Sequence, residues 1–237
     1  QPVLTDVTLS IGAGRSVGIV GRTGSGKTTF SRLVLRLVDA TNGTILLGCV
    51  RIDQISLAEL RHRVAMVPQE VELFGGTIRQ NVTLFDPNPT DDAVVAALRA
   101  VGLDALADGG IDRTLGAGGA GLSAGEAQLL AMARVWLRNA DLVVLDEATA
   151  RIDPVTEARL ESAVHKLMAG RTTLIIAHRL STLREVDDIV VFNDGRIVES
   201  GERDMLAADP TSRFHRLLSL SLEGDDEAAV AEAELLR

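Results

Sequence analysis

Apolar residues along the chain fall into two kinds of pattern. SVGIVG at 16–21, LVVLDE at 142–147 and TTLIIA at 172–177 are short runs built on continuous apolar residues, the length and character of strands buried on both faces. KTTFSRLVLRLV from Lys27 and DDAVVAALRAVG from Asp91 space their apolar residues by three and four, which predicts helices. LLAMARVWL from Leu129 continues a third helical stretch. Its start is marked at GLSAGEAQ, where Ser123 followed by Glu126 three residues on reads as a capping box. Asp153-Pro154 reads as another helix start, with an N-cap and a proline at the first helical position.

The first strand run breaks into glycines and continues as a helix, so its context is strand, loop, helix. Within that context Gly21-Arg22-Thr23-Gly24-Ser25-Gly26-Lys27-Thr28 matches the phosphate-binding pattern GxxxxGK[ST], with Thr29 next to it. Glycines let successive backbone N–H groups curl inward, and the following helix presents its positive end to the same anion. Lys27 would reach the β- and γ-phosphates and the Thr28 hydroxyl would ligate Mg²⁺. Lysine is rare here, Lys27 and Lys166 being the only two in 237 residues, so a lysine at that position is not background.

The second run ends in two acids, as expected where the carboxyl end of a parallel strand meets a ligand. Asp146 would hold Mg²⁺ through water while Glu147 projects toward the γ-phosphate. The third run ends at His178 in the same manner, a candidate γ-phosphate contact. Phosphoryl transfer to water needs a placed nucleophile, metal charge on the phosphates and a group that senses the γ-phosphate. Glu147, the Mg²⁺ on Thr28 and Asp146, and His178 would supply them.

Composition narrows the function classes. A net charge of −9 argues against nucleic acid as the main partner, since phosphate binding needs a concentrated basic surface. Part of the acidity is local, because EGDDEAAVAEAELLR at 223–237 reads as a solvated tail. The single Cys49 excludes an internal disulfide and suits a reducing cytosol. No apolar run approaches the roughly 18 residues that cross a bilayer.

With the phosphate loop, LSAGE, LVVLDE and His178 in this order, the chain resembles the nucleotide-binding domain of ATP-binding cassette (ABC) transporters, from VLTDVTLSI to FHRLLSLSL. The resemblance implies an α/β fold: a P-loop ATPase core, a small antiparallel β lobe, and an inserted helical lobe carrying the signature motif. The implied domain spans 1–222, with core and β lobe at 1–69 and 139–222, and the helical lobe at 70–138. Gln69 looks like the family's glutamine that meets Mg²⁺ or the attacking water and lies near the membrane subunits. Asp153 looks like the aspartate that communicates between the halves of a dimer. Leu122, Ser123, Ala124, Gly125 and Glu126 stand at the signature that would face the nucleotide of a second copy. ATP and Mg²⁺ are the implied ligands. The implied partners are a second nucleotide-binding domain, identical or not, and a transmembrane domain on the same full-length chain, at the cytoplasmic side of the membrane.

VELFGGTIRQNV resembles the exporter pattern LFxGTIRxN, whereas importer subunits carry a longer LFPxxTVxEN version. The chain begins after the place where the family puts an adenine-stacking aromatic residue, which suggests a longer polypeptide with membrane helices upstream. An ABC-type ATPase of DNA repair shares the motifs, but the long heptad arms between phosphate loop and signature are not visible here. No NKxD-type motif points to guanine. Two departures stand out. TLGAGGA lacks the charged residues of the exporter loop TEVGERG, and the signature LSGGQ reads LSAGE, with Ala124 and Glu126 substituted. A carboxylate at 126 opposes nearby phosphates, which predicts weaker closure over the site it serves, one of two unequal sites in a heterodimer.

Overall fold

The computed structural model describes residues 3–116, 118, 120–146, 154–177 and 179–223. The chain opens with β1 (Ser16–Gly21), α1 (Lys27–Val34), β2 (Leu46–Leu47), β3 (Val50–Arg51), α2 (Leu57–Arg63) and β4 (Val64–Val67). A mainly helical stretch follows: β5 (Gly76–Thr77), α3 (Ile78–Thr83), α4 (Asp91–Ala100), α5 (Asp104–Asp108), β6 (Thr114–Leu115) and α6 (Ala124–Arg138). The chain then alternates again through β7 (Leu142–Asp146), α7 (Pro154–Met168), β8 (Thr172–Ile176), β9 (Asp188–Asn193) and β10 (Arg196–Glu202). The described residues end with α8 (Arg203–Ala208) and α9 (Arg213–Glu223).

The three apolar runs are neighbouring strands of one sheet, ordered β10-β9-β1-β8-β7-β4, in which every pair is parallel except β9–β10. Their continuous apolar character has a direct cause. Val143 and Leu145 of β7 enter one hydrophobic cluster with α6, α7 and Phe214 of α9, while Leu142 and Val144 enter a second on the opposite face. Both faces of the sheet are covered, as parallel sheets require. The core is therefore α/β, as expected. Its antiparallel parts are small, namely β10 on β9 and the two-residue pairs β2–β3 and β5–β6. Residues 7–12 alternate half-buried and exposed, with Val7, Leu9 and Ile11 packed on the second cluster, as a strand face would be.

Helices start where their side chains satisfy the free N–H groups of the first turn. Thr77 and Gln80 form a reciprocal capping box on α3, Thr90 caps α4, and Ser123 and Glu126 form the capping box on α6. The predicted helices at 91 and 124 are present as α4 and α6, and α7 starts at Pro154. Ile78, Val82, Val94 and Leu98 of α3 and α4 pack with Leu129 and Leu130 of α6 in the first cluster, so the signature helix is held by its middle. Among the described residues no helix is long and apolar enough to cross a membrane. Residues 224–237, most of the acidic tail, lie outside the described residues.

Candidate functional site

Parallel register brings the predicted ligand-facing ends to one edge of the sheet. Ile176 of β8 pairs with Ile19 of β1 on one side and Asp146 of β7 on the other, so these three stand at one level. Gly21 lies two residues beyond Ile19. Leu145 pairs with Val67 of β4, and the exposed Gln69 follows two residues later. Phosphate loop, Asp146 and Gln69 thus share the carboxyl edge, where open α/β sheets bind ligands.

The loop itself is shaped by its glycines. Gly21, Gly24 and Gly26 have φ of 151°, 82° and 107°, and a Cβ on Gly21 would overlap the Phe192 carbonyl. Ser25 N–H donates to Arg22 O at 3.0 Å, closing the turn, and α1 begins at Lys27. Lys27 is buried, its ammonium donating to the carbonyls of Gly21 and Arg22, the latter at 3.0 Å. Burial lowers the Lys27 pKa below the usual lysine value, opposed by the negative charge of Asp146. Ser25 is also buried, and among the described residues its hydroxyl has no hydrogen-bond partner. A buried ammonium and an unsatisfied buried hydroxyl inside a glycine turn at a helix N-terminus are the donor set a polyphosphate satisfies. Arg22 and Thr29 are half-buried at its sides, and Thr23 and Thr28 are exposed. The residues fit a nucleotide polyphosphate, and the Thr28 hydroxyl, the Asp146 carboxylate and the Gln69 amide are the oxygens that could hold Mg²⁺. Glu147, Asp153 and His178 lie outside the described residues.

Ser123 and Glu126 stand on a different element, at the exposed start of α6. The Ser123 N–H donates to Glu126 Oε2 at 2.9 Å, the Ser123 hydroxyl lies 2.9 Å from the same oxygen, and Glu126 N–H donates to Ser123 Oγ at 3.2 Å. The carboxylate therefore folds back onto its own helix start. Leu122 is half-buried, Ala124 exposed and Gly125 buried.

Three contributors were not singled out as site residues by the sequence, although Asn81 stands within the LFxGTIRxN pattern. The hairpin β9–β10 turns at Asp194 and Gly195, with φ of 46° and 75°, a type I′ turn. Its Gly195 N–H donates to Ser25 O at 3.0 Å, so a turn 170 residues away in sequence supports the phosphate loop. NDG between two strand-like runs is a legible hairpin signal, but not a sign of what the turn touches. Asn81 and Arg134 brace the segment after Gln69. An arginine inside the apolar run LLAMARVWL was the available signal for the second.

Comparison with known proteins gives a consistent result. A family model described as ABC transporter matches residues 4–150. An "ATP-dependent lipid A-core flippase" of Pseudomonas fluorescens is 41% identical over 231 residues, 96% of this chain and 38% of the relative. A mouse protein, "ATP-binding cassette sub-family C member 10", is 42% identical over 225 residues, 93% of this chain and 15% of its own length. A solved bacterial Atm1-family ABC exporter with ATP bound superposes with a TM-score of 0.81 at 33% identity, over 92% of this chain and 39% of that one. The chain thus spans well under half the length of these relatives.

Proposed function

The chain belongs to the ABC transporter family, and from that premise we propose that it is the ATP-binding and ATP-hydrolysing domain of an exporter. Two such domains, identical or not, face each other head to tail at the cytoplasmic side of a membrane. Each ATP lies between residues 21–29 of one and Leu122–Glu126 of the other. Helical-lobe residues 70–138 carry that second surface, and residues 1–69 and 139–222 carry the first. The observation that carries the reading is the glycine turn with buried Lys27 and the unsatisfied Ser25 hydroxyl, set at the same sheet edge as Asp146.

Lys27 exchanges the Gly21 and Arg22 carbonyls for phosphate oxygens, which returns a full countercharge to a buried ammonium. Thr28, Asp146 and Gln69 would hold Mg²⁺, which would supply positive charge to the phosphate oxygens. Glu147 orients and deprotonates the attacking water, and His178 contacts the γ-phosphate. Asp153 reports the state of one site to the other domain. ATP makes contacts in the closed pair that it lacks in the open one, so binding shifts that equilibrium and hydrolysis releases it.

The closing motion is delivered to a membrane-spanning part of the full-length chain, consistent with relatives named flippase and exporter that are more than twice this length. Its docking face is the one near Gln69 where Phe74 and Phe85 stand exposed, ring centroids 5.8 Å apart. Leu84 and Phe85 both take positive φ, 53° and 65°, which holds the aromatic pair out on the surface. Glu147→Gln in the full-length protein is expected to lower ATP turnover by about 100-fold or more, the general-base range, with the ATP dissociation constant within about twofold. Turnover near the wild-type rate in that variant overturns the assignment.

A further inference from the structure

Arg134 is the eleventh of the fifteen residues of α6, on the side that faces the segment after Gln69. Its Nε donates to the Asn81 carbonyl and its Nη2 to the Glu72 carbonyl, both at 2.9 Å. Among the described residues no carboxylate pairs with it. Burial, and then the charge of Arg138, lower its pKa. A guanidinium held among main-chain dipoles alone is a costly way to fill a core edge, and an aliphatic residue would pack there without that cost. What arginine adds is a planar fork that reaches two carbonyls nine residues apart.

Asn81 completes the arrangement. It is fully buried, its Oδ1 accepts from Phe74 N–H at 2.8 Å, and its Nδ2 donates to Phe74 O at 2.9 Å and Thr77 O at 3.1 Å. One side-chain amide thus holds both main-chain groups of Phe74. Arg134 ties positions 72 and 81 to α6, and Asn81 ties positions 74 and 77 to 81. Asn81 is the last position of the LFxGTIRxN pattern, and these bonds explain why an amide stands there.

We propose that Asn81 and Arg134 form a clamp that joins the exposed Phe74 face to the signature helix, so that displacement of one displaces Ser123 at the other end. They are positioning residues for the ATP cycle and touch no nucleotide. The connecting element is stiff, since Arg134 to Ser123 spans 11 residues of helix, about 16 Å. This rests on the exporter reading, because the load on Phe74 comes from the membrane-spanning part.

The test uses the full-length protein in lipid nanodiscs, with spin labels on the membrane-spanning part of the paired subunits. Measured are ATP dissociation constant, turnover, and the change in label distance on adding ATP and vanadate. Arg134→Met is expected to keep ATP affinity within about twofold, lower turnover about tenfold or more, and abolish the distance change. Arg134→Lys, which keeps the charge but loses the fork, is expected to lose about threefold in turnover. Wild-type turnover and distance change in Arg134→Met overturn the clamp, as does a loss of ATP affinity in step with turnover, which marks general damage to the fold. If the Met variant does not reach the membrane, the Lys variant decides by the same measurements, unchanged turnover counting against the clamp. A wild-type protein that does not hydrolyse ATP overturns the exporter reading itself, and with it the proposal.

Discussion

Glu126 puts a carboxylate at the start of α6, where the related signature has a neutral glutamine. Its Oε2 already takes the N–H of Ser123 and lies within hydrogen-bond distance of the Ser123 hydroxyl. A phosphate approaching this helix start from a second copy therefore meets a negative charge and a serine already engaged. The capping reading and the binding reading of GLSAGEAQ describe the same donors. Glutamine can make the same reciprocal cap, so Glu126→Gln removes the charge without removing the helix start. We expect that variant to raise ATP turnover in the assembled transporter about fivefold, the equivalent of roughly 1 kcal/mol of relieved repulsion. Steady-state kinetics with no rise in either affinity or turnover would show the substitution to be neutral. At this scale a motif of fixed spacing made the glycine turn and the helix start at Lys27 legible in the sequence. The contacts of Arg134 were not legible, because its partners are carbonyls that leave no side-chain signature.

Between elements, the parallel seam of β1 and β9 is pinned at its start. The Asp187 carboxylate accepts from Ser16 N–H at 2.7 Å and from its hydroxyl at 2.8 Å, while Asp187 N–H donates to Ser16 Oγ at 3.0 Å. The Ser16 N–H, then its hydroxyl, lower the Asp187 pKa, with the charge of Arg15 adding to the effect and burial opposing it. A carboxyl whose folded pKa lies below its unfolded value of about 3.9 contributes stability that is full above that value and lost as pH falls through the folded one. Asp187→Asn is thus expected to lower the urea midpoint at pH 7, and the difference from wild type to shrink below about pH 4. A constant difference across that range would show that the contribution is not electrostatic. This seam was not legible beforehand, because Asp187 and Ser16 are 171 residues apart and neither belongs to a motif.

For the molecule as a whole, the sheet is covered on both faces, and α9, the last helix among the described residues, is part of the cover. Phe214 of α9 is fully buried in the larger cluster, alongside Leu217. Phe214→Ala is expected to cost about 3–5 kcal/mol by the cavity it leaves, read as a lowered urea midpoint at unchanged slope. A cost under about 1 kcal/mol would show that α9 is an appendage and not part of the core.

What the sequence determined by itself is local: the three buried strands, the capped helices, and a phosphate loop whose glycines, lysine and threonine are consecutive. Those depend on residues within a few positions of one another, where period and steric freedom suffice. Tertiary structure alone decided the rest. Register set Asp146 level with Ile19, the Asp194-Gly195 turn came to rest under Ser25, and Arg134 reached the carbonyls of Glu72 and Asn81. Each joins groups far apart in the chain, and at least one partner in each is a main-chain N–H or C=O. Every residue but proline carries the same N–H and every residue the same C=O, so nothing in the side-chain order announces which of them will meet.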